Sequence, residues 1–263
     1  MRTSHASLLI LILAGALTRP ALAADPHTII AAKQLLQNGM NHGNPALMLK
    51  ARGQFMSLLA AEPEAPALHY WVAVTDWRVV PILASQDRDG AKRYCDEGLA
   101  HCDAALKADP RMAEALAVKA GLQGLAINFN GAAAMTLGPT LRANMGRAVE
   151  MAPSNPRIRL LDGINTLHMP EFFGGGADKA LEKLKQANAL FAAESVADST
   201  APDWGRDDAF LWAGRCAMML KDYAAARDYF QHALGTNPAN GWVRTGLLPA
   251  ALDSLAKQPK AKS

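Results

Sequence analysis

The feature that most constrains this 263-residue chain is a triplet of small or apolar residues that recurs five times. Its members are four and then three positions apart, a spacing that places all three on one face of a helix. The copies are Ala51/Phe55/Leu58, Gly98/Cys102/Ala105, Leu141/Met145/Ala148, Ala180/Leu184/Ala187 and Ala226/Phe230/Ala233. Twelve positions after each first member stand Pro63, Pro110, Pro153, Ala192 and Pro238. Because proline cannot continue a helix, the pattern predicts five similar helices that mostly share an end point.

The last triplet belongs to the most complete unit, "DAFLWAGRCAMMLKDYAAARDYFQHALGTNP", residues 208–238. Six of its residues stand at the spacing of a tetratricopeptide repeat (TPR): Gly214, Ala226, Phe230, Ala233, Leu234 and Pro238. The chain therefore resembles the TPR family, from about Ile29 to Pro238. The resemblance implies an all-α, TPR-like solenoid of about five antiparallel helix pairs with a C-terminal capping helix. A composition of 50% hydrophobic but only 6% aromatic residues suits such a helical fold.

The units are longer than the roughly 34 residues of a standard repeat. The surplus falls mainly between the two helices of a unit, in segments 79–90, 127–138 and 169–177. We expect elongated turns that lie side by side along one edge, a common place for binding. The candidate residues of this edge are Asn128, Asn130, Phe172, Phe173, Gly174, Gly175 and Gly176.

Three consecutive glycines, Gly174 to Gly176, stand just before the predicted second helix of the fourth unit. Glycine-rich loops before helices can bind anions, but neither GxxxxGK[ST] nor GxGxxG is present. The Asp178 carboxylate at the helix start would also repel a phosphate. We therefore predict a structural turn, with Phe172 and Phe173 packed onto the helices below, and expect Gly175→Ala to lower stability.

The resemblance also implies a concave groove lined by the first helix of each unit. Its candidate residues are Tyr70, Trp77, Arg157, Ile164, Leu167, Leu211, Arg215 and Met218. A mostly apolar groove with two arginines suits a small apolar ligand that carries a carboxylate. Alternatively, the C-terminal segment 240–257 folds back and covers the groove, since solenoid ends need caps. The sequence leaves both possibilities open.

The first residues have the organisation of a secretory signal peptide. Arg2 precedes an apolar stretch over 8–17, and an Ala-Leu-Ala triplet ends at Ala23. We expect cleavage after Ala23 and a periplasmic protein without a transmembrane segment. The predicted organisation is a signal peptide over 1–23, a helical repeat domain over 24–257 and a disordered tail over 258–263.

The three cysteines can be oxidised in an exported protein. Cys95 and Cys102 are seven residues apart on one predicted helix, which separates them by roughly 10 Å. A disulfide needs less than about 7 Å, so we predict buried free thiols. A pairing of Cys216 stays open. The spacing of histidines and cysteines indicates no metal site, and we expect no cofactor.

The sequence contains no GxSxG or HExxH motif, and we expect no enzyme. The acidic residues in 87–89 and 205–208 are expected to cap helix starts in solvent. A net charge of +3 without a basic cluster in the folded part indicates no nucleic-acid partner. The function that we favour is a non-enzymatic exported scaffold that binds another protein. The alternative is a periplasmic solute-binding accessory, similar to the TPR component of tripartite transporters, that encloses an apolar or carboxylate-bearing ligand.

Overall fold

The computed structural model describes residues 25–258, and this part of the chain is helical without strands. Its helices are α1 (Pro26–Asn41), α2 (Pro45–Ala61), α3 (Pro66–Leu83), α4 (Arg88–Ala108), α5 (Ala113–Phe129), α6 (Ala134–Met151), α7 (Pro156–His168), α8 (Ala177–Ala193), α9 (Arg206–Met219), α10 (Tyr223–Thr236) and α11 (Leu248–Ala256). Consecutive helices pack as five pairs, from α1/α2 to α9/α10, and α11 packs against α10. The predicted solenoid of five pairs with a C-terminal helix is confirmed.

The helix ends follow the prolines of the repeat. α2, α4, α6 and α10 each end two residues before Pro63, Pro110, Pro153 and Pro238. The fourth unit has Ala192 at the equivalent position, and α8 continues through it to Ala193. The proline therefore sets the end of the second helix wherever it is present, because its ring and missing N–H stop the helix.

The triplet residues form the contact between the two helices of each unit. All are buried except Leu58 in the first copy, where the neighbouring Leu59 is buried instead. In the fifth unit, a Cβ atom on Gly214 would overlap the ring of Phe230. A side chain at this position would force the helices apart, which is why the repeat needs a small residue there.

The surplus residues of the longer units are used in two ways. Segments 79–90 and 127–138 mostly lengthen helices, because buried Val79, Val80 and Leu83 continue the apolar contact of α3. Segment 127–138 also includes a short 3-10 helix at Gly131–Ala133. Segment 169–177 forms the longest irregular turn of the three, with a 3-10 helix at Glu171–Phe173. The second and third units are neighbours at this edge, since Arg88 donates to the carbonyl oxygen of Asn128 at 3.1 Å.

The solenoid curls until its last pair meets its first. The side-chain amide of Asn237, at the end of α10, donates to Asn41 Oδ1 at 2.8 Å. Close by, a Cβ atom on Gly241 would lie 2.6 Å from the Asn41 carbonyl oxygen. The first and last pairs of the solenoid are therefore in direct contact.

Cys95, Cys102 and Cys216 are buried and free, as predicted for the first two, and Cys216 has no disulfide partner among residues 25–258. None of the helices in this range combines the length and apolar character needed to cross a membrane. The predicted signal peptide, 1–23, and residues 259–263 of the predicted tail lie outside the described residues. Gln258, the first residue of that tail, is described and donates to the Lys221 carbonyl oxygen at 3.2 Å.

Candidate functional sites

An irregular segment between α8 and α9, residues 194–205, crosses the concave side of the solenoid; we refer to it as the strap. Lys33 on α1 holds its middle, with Nζ 2.7 Å from the Ser199 carbonyl oxygen and 2.6 Å from that of Ala201. Trp204 holds its end, with Nε1 donating to the Tyr70 hydroxyl at 3.0 Å. The strap therefore covers the part of the predicted groove that Tyr70 and Arg157 form. The C-terminal segment covers its last part, since Val243 and Ala251 share a buried cluster with Leu211.

Arg157 is the centre of a buried ionic network beneath the strap. Its Nε donates to Glu114 Oε1 at 3.0 Å, and both of its terminal nitrogens donate to the carboxylate of Glu194 in the strap. Glu114 also accepts from the side-chain amide of Asn155 at 2.6 Å and from the Tyr70 hydroxyl. Burial lowers the pKa of Arg157, but the charge of Glu114 and the hydrogen bond to Glu194 outweigh it and raise the pKa overall.

A second contact under the strap involves Arg78 of α3. Its guanidinium carbon is 4.4 Å from the ring centre of Trp77 and 4.8 Å from that of Trp204, so the cation lies over both rings, whose centres are 5.7 Å apart. The same guanidinium pairs with Asp208 at the start of α9, with Nη2 2.5 Å from Oδ2. The neighbouring Asp207 accepts from Asn237 and Asn240 at 2.8 and 3.1 Å.

This geometry corrects the prediction that the acids of 205–208 are solvated caps. Asp207 and Asp208 are both buried and join α9 to α3 and α10. Burial, and then the charge of Asp208, raises the pKa of Asp207 above its usual range. At the other acidic segment the capping prediction holds, since Asp87 accepts from the Gly90 N–H at 2.9 Å.

A cavity of about 500 Å³ remains on the concave side, between α1, α3, the strap and the end of α10. Trp71, Val74 and Met40 contribute apolar surface, while Lys33 and Arg78 contribute charge. None of the predicted groove residues lines it. The sequence pattern missed this cavity because its walls come from the strap and from α1, which carries no repeat triplet.

The predicted groove residues fall into two groups. Six are buried in the described structure and present almost no surface to a ligand: Tyr70, Trp77, Arg157, Ile164, Leu167 and Leu211. Arg215 and Met218, in the second half of α9, stay partly exposed. Of the two arginines predicted to receive a carboxylate, Arg157 is already paired within the chain and only Arg215 remains accessible.

Arg215 lies among aromatic rings rather than acids. Its guanidinium carbon is 4.2 Å from the ring centre of Trp212 and 5.3 Å from that of Trp242, which comes from the segment before α11. His168, at the end of α7, meets Trp212 edge-on with 5.7 Å between ring centres. Burial lowers the pKa of Arg215, and no carboxylate opposes that shift.

The backbone N–H groups of the three glycines are all used within their own turn. Gly174 donates to the carbonyl oxygen of Glu171, Gly175 to that of Pro170 and Gly176 to that of Thr166, at 2.9, 3.1 and 3.1 Å. No N–H of this triplet is left for an anion, which favours the structural turn. Asp178 lies in the first turn of α8 as expected, but its side chain makes no capping hydrogen bond.

Each glycine has a separate reason to be in this turn. Gly174 and Gly176 have φ of 92° and 117°, in the region that side chains disfavour. Gly175 does not have a positive φ in that range, but a Cβ atom there would overlap the carbonyl oxygen of Met169. The expected cost of Gly175→Ala therefore comes from this close backbone approach.

The turn presents two phenylalanines to solvent. Phe172 is 80% exposed and Phe173 55% exposed, so the prediction that both pack onto the helices below is wrong. Their rings contact each other, with 4.0 Å between centres, and Arg142 of α6 lies 5.5 Å from the ring of Phe173. With the backbone hydrogen bonds satisfied inside the turn, the rings themselves are directed outward.

Behind Phe173 is a groove of about 310 Å³ between α6 and α7, which we call the edge groove. Leu141, Met145, Val149 and Met169 form much of its apolar lining. Asn165 also lines it, and its side-chain amide nitrogen is buried without a hydrogen-bond partner in the described structure. The predicted edge residues Asn128 and Asn130 do not line this groove; Asn130 caps a 3-10 turn by accepting from the Ala132 N–H.

No protein-family model and no curated protein matches this chain. Among solved structures, the HusA haemophore from Porphyromonas gingivalis is 22% identical, with a TM-score of 0.60 over 74% of this chain and 91% of its own. A thermophilic TPR protein from Thermus thermophilus is 15% identical, with a TM-score of 0.59 over 88% of this chain and 98% of its own. At these identities the comparisons establish the fold, which is TPR-like.

Proposed function

We propose that this protein is a non-enzymatic scaffold that binds an extended segment of another protein in the edge groove. The observation that carries the proposal is the pair of exposed phenylalanines, Phe172 and Phe173, beside that groove. Exposed apolar surface next to a concave site is typical of protein contacts, and aromatic side chains are enriched there.

The unpartnered amide of Asn165 supports the same assignment. Buried polar groups are nearly always hydrogen-bonded in folded proteins, and this nitrogen has no acceptor among the described residues. A carbonyl oxygen from a bound segment would supply one. Apolar side chains of the segment would contact Leu141 and Met145, and its outer face would cover Phe172.

The concave side, the usual peptide site of such repeats, is a weaker candidate. The strap occupies it and contributes Glu194 and Trp204 to the buried network. A peptide could enter only if the strap left, which would remove Glu194 from Arg157 and leave the buried network without one of its two carboxylates.

Site-specific photo-cross-linking tests the proposal in the organism that makes the protein. Phe172 is replaced by p-benzoylphenylalanine, and the control carries the same residue in place of Met56, an exposed methionine on α2. We expect a discrete protein adduct from position 172 and none from position 56. We also expect Asn165→Leu to reduce the yield of that adduct. Equal labelling from both positions, or none from either, would contradict the proposal.

The cavity of about 500 Å³ favours a second candidate, a solute-binding accessory. Its volume is in the range of small-molecule sites, and the partly exposed Ile30 and Met40 contribute apolar surface to its wall. One of the structurally similar proteins is a haemophore, that is, a ligand-binding protein. Native mass spectrometry of the purified protein tests this candidate. A bound small molecule that Met40→Trp excludes would support it, since Met40 is a partly exposed residue of the cavity wall. An unliganded mass alone would count against it.

We also propose that the protein is exported to the periplasm, on the basis of the leader-like residues 1–23. N-terminal sequencing of the protein from a periplasmic fraction should begin at Ala24. A chain that begins at Met1 would refute this.

A further inference from the structure

Arg215 differs from every other arginine that is at least partly buried in residues 25–258. Those others each pair with an acid or donate to a carbonyl oxygen: Arg52, Arg78, Arg157, Arg159, Arg206 and Arg227. Arg215 has no hydrogen bond or ion pair to any described residue. A partly desolvated cation without a counter-ion is unfavourable, so its retention in the fold needs an explanation.

The surroundings of Arg215 fix its orientation without using its hydrogen-bonding capacity. Trp212 and Trp242 contact the guanidinium at 4.2 and 5.3 Å from their ring centres. Aromatic rings interact with the faces of a guanidinium group and leave its N–H donors, which lie in the plane, available. Those donors form a planar fork that matches the two oxygens of a carboxylate.

The site is reachable from solvent and has an apolar rim. Trp242 is 51% exposed and Met219 is 61% exposed, while Met218 is partly exposed on the same turn of α9. Two titratable side chains among residues 25–258 lie near this site: His168, which contacts Trp212 and whose pKa is lowered by burial and by the charge of Arg215, and the buried thiol of Cys216. No described acidic side chain competes for Arg215.

We propose that Arg215, in contact with Trp212 and Trp242, binds the carboxylate of a ligand whose apolar body rests on the two tryptophans. A carboxylate fits better than a phosphate because the site has one fixed cation and apolar surroundings. The residues that form it line neither the cavity under the strap nor the edge groove. The site is therefore separate from the proposed protein contact and can be tested on its own.

The test uses matched probes that differ only in charge. One pair is 4-phenylbutyrate and 4-phenylbutyramide, and a second is the tripeptide Ala-Ala-Phe with a free or an amidated C-terminus. Binding is followed by calorimetry and by the five tryptophan indole N–H signals in a nitrogen–proton correlation spectrum. The first pair reports a small carboxylic acid as the source of the carboxylate, and the second reports a peptide C-terminus.

We expect at least one carboxylate to bind saturably and about tenfold or more tighter than its amide, a difference of about 1.4 kcal/mol. The indole signals of Trp212 and Trp242 should shift, while those of Trp71, Trp77 and Trp204 stay in place. Arg215→Gln should weaken carboxylate binding about tenfold or more, and Arg215→Lys should weaken it less, since lysine keeps the charge but not the fork. Arg244→Gln is the matched control, because Arg244 is an exposed arginine two residues after Trp242.

Folding is checked by thermal melts of each variant. Trp242→Ala removes a half-exposed ring and gives a second variant with little risk to the fold; it too should weaken carboxylate binding. The proposal is overturned if acids and amides bind alike, or if Arg215→Gln behaves like Arg244→Gln. It is also overturned if neither pair shows saturable binding at concentrations up to about 10 mM, the range of weak ligands.

Discussion

Arg157 and Arg215 both belong to first helices of successive repeats, and the sequence assigns both to one ligand groove. In the structure their environments are opposite. Arg157 is buried and receives Glu114 and Glu194 from two different parts of the chain. Arg215 stays partly exposed, contacts Trp212 and Trp242, and has no acidic partner among residues 25–258. The first arginine completes the fold, whereas the second is available for binding.

The pKa shifts of the two arginines describe the same contrast. Burial lowers both pKa values, but at Arg157 the two carboxylates reverse the shift and raise the pKa. At Arg215 burial dominates and the pKa is lowered. A guanidinium remains protonated in both cases, so the shifts report how well each charge is stabilised rather than a change in charge. Arg157 is already stabilised by carboxylates of its own chain, so an added anionic ligand would stabilise it little further. Arg215 has no such partner among the described residues, so a ligand carboxylate would stabilise it more.

The largest effect that the comparison predicts is the loss of stability in Arg157→Ala. Removing one partner of a buried ion pair leaves the carboxylates of Glu114 and Glu194 desolvated and unpaired, which costs about 3–5 kcal/mol. Chemical denaturation should show this decrease in the free energy of unfolding.

A rescue variant separates the lost charge from lost packing. Arg157→Met combined with Glu114→Gln and Glu194→Gln removes all three charges together, and replacing a whole buried ionic group is often close to neutral. We expect it to regain most of the stability that Arg157→Ala loses. An Arg157→Ala protein that unfolds like the wild type would mean that the strap network contributes nothing.

Trp204→Phe should have a smaller effect on the same region. The ring still covers Tyr70 and Trp77, but the indole N–H that donates to the Tyr70 hydroxyl is lost. A buried acceptor without its donor costs about 1–3 kcal/mol. Denaturation of Trp204→Phe, of Tyr70→Phe and of the double variant measures the coupling between the two groups. Additive losses would show that the hydrogen bond does not hold the strap.

The repeat could be predicted from the sequence because its signals are local. The triplets place small residues such as Gly214 opposite large ones such as Phe230, and the prolines end the second helices. Both effects act within one helix pair, so spacing along the chain is enough to find them.

The strap could not be predicted in this way. It acts through contacts between residues far apart in the chain, such as Trp204 with Tyr70 and Lys33 with Ser199, and no periodicity links them. The sequence therefore does not distinguish the structural Arg157 from the accessible Arg215, because one of the two acids that pair with Arg157 comes from the strap. At the edge, the sequence does predict the tight turn, because three consecutive glycines, Gly174 to Gly176, favour one. The orientation of Phe172 depends on the path of the backbone, which residue type alone does not specify.

Arg215→Met should leave stability nearly unchanged, in contrast to Arg157→Ala. Arg215 gives up no ion pair or hydrogen bond, and methionine preserves much of the contact with Trp212 and Trp242. We expect a change within about 0.5 kcal/mol, as for a surface substitution. A loss as large as that of Arg157→Ala, measured by the same denaturation, would show that Arg215 has a structural role and that the two regions do not differ.

The smallest expected effect is on the titration of His168, which reports the charge of Arg215 from the neighbouring helix. The pKa of His168 is lowered first by burial and then by Arg215, so the folded state favours the neutral ring. The stability gained from this neutral ring is present above the ordinary histidine pKa of about 6.5 and is lost as the pH falls through the lower, folded-state value. Arg215→Met removes the second cause and leaves the first, so the pKa of His168 should rise towards its usual range without reaching it. The variant should then lose less stability than the wild type as the pH falls from 7 to about 5.

Proton–nitrogen spectra of the imidazole follow the titration of His168 directly, with Arg244→Met as the control of equal charge change. Identical titration of His168 in wild type, Arg215→Met and Arg244→Met would mean that the charge of Arg215 is already neutralised, which would remove the difference between the two arginines.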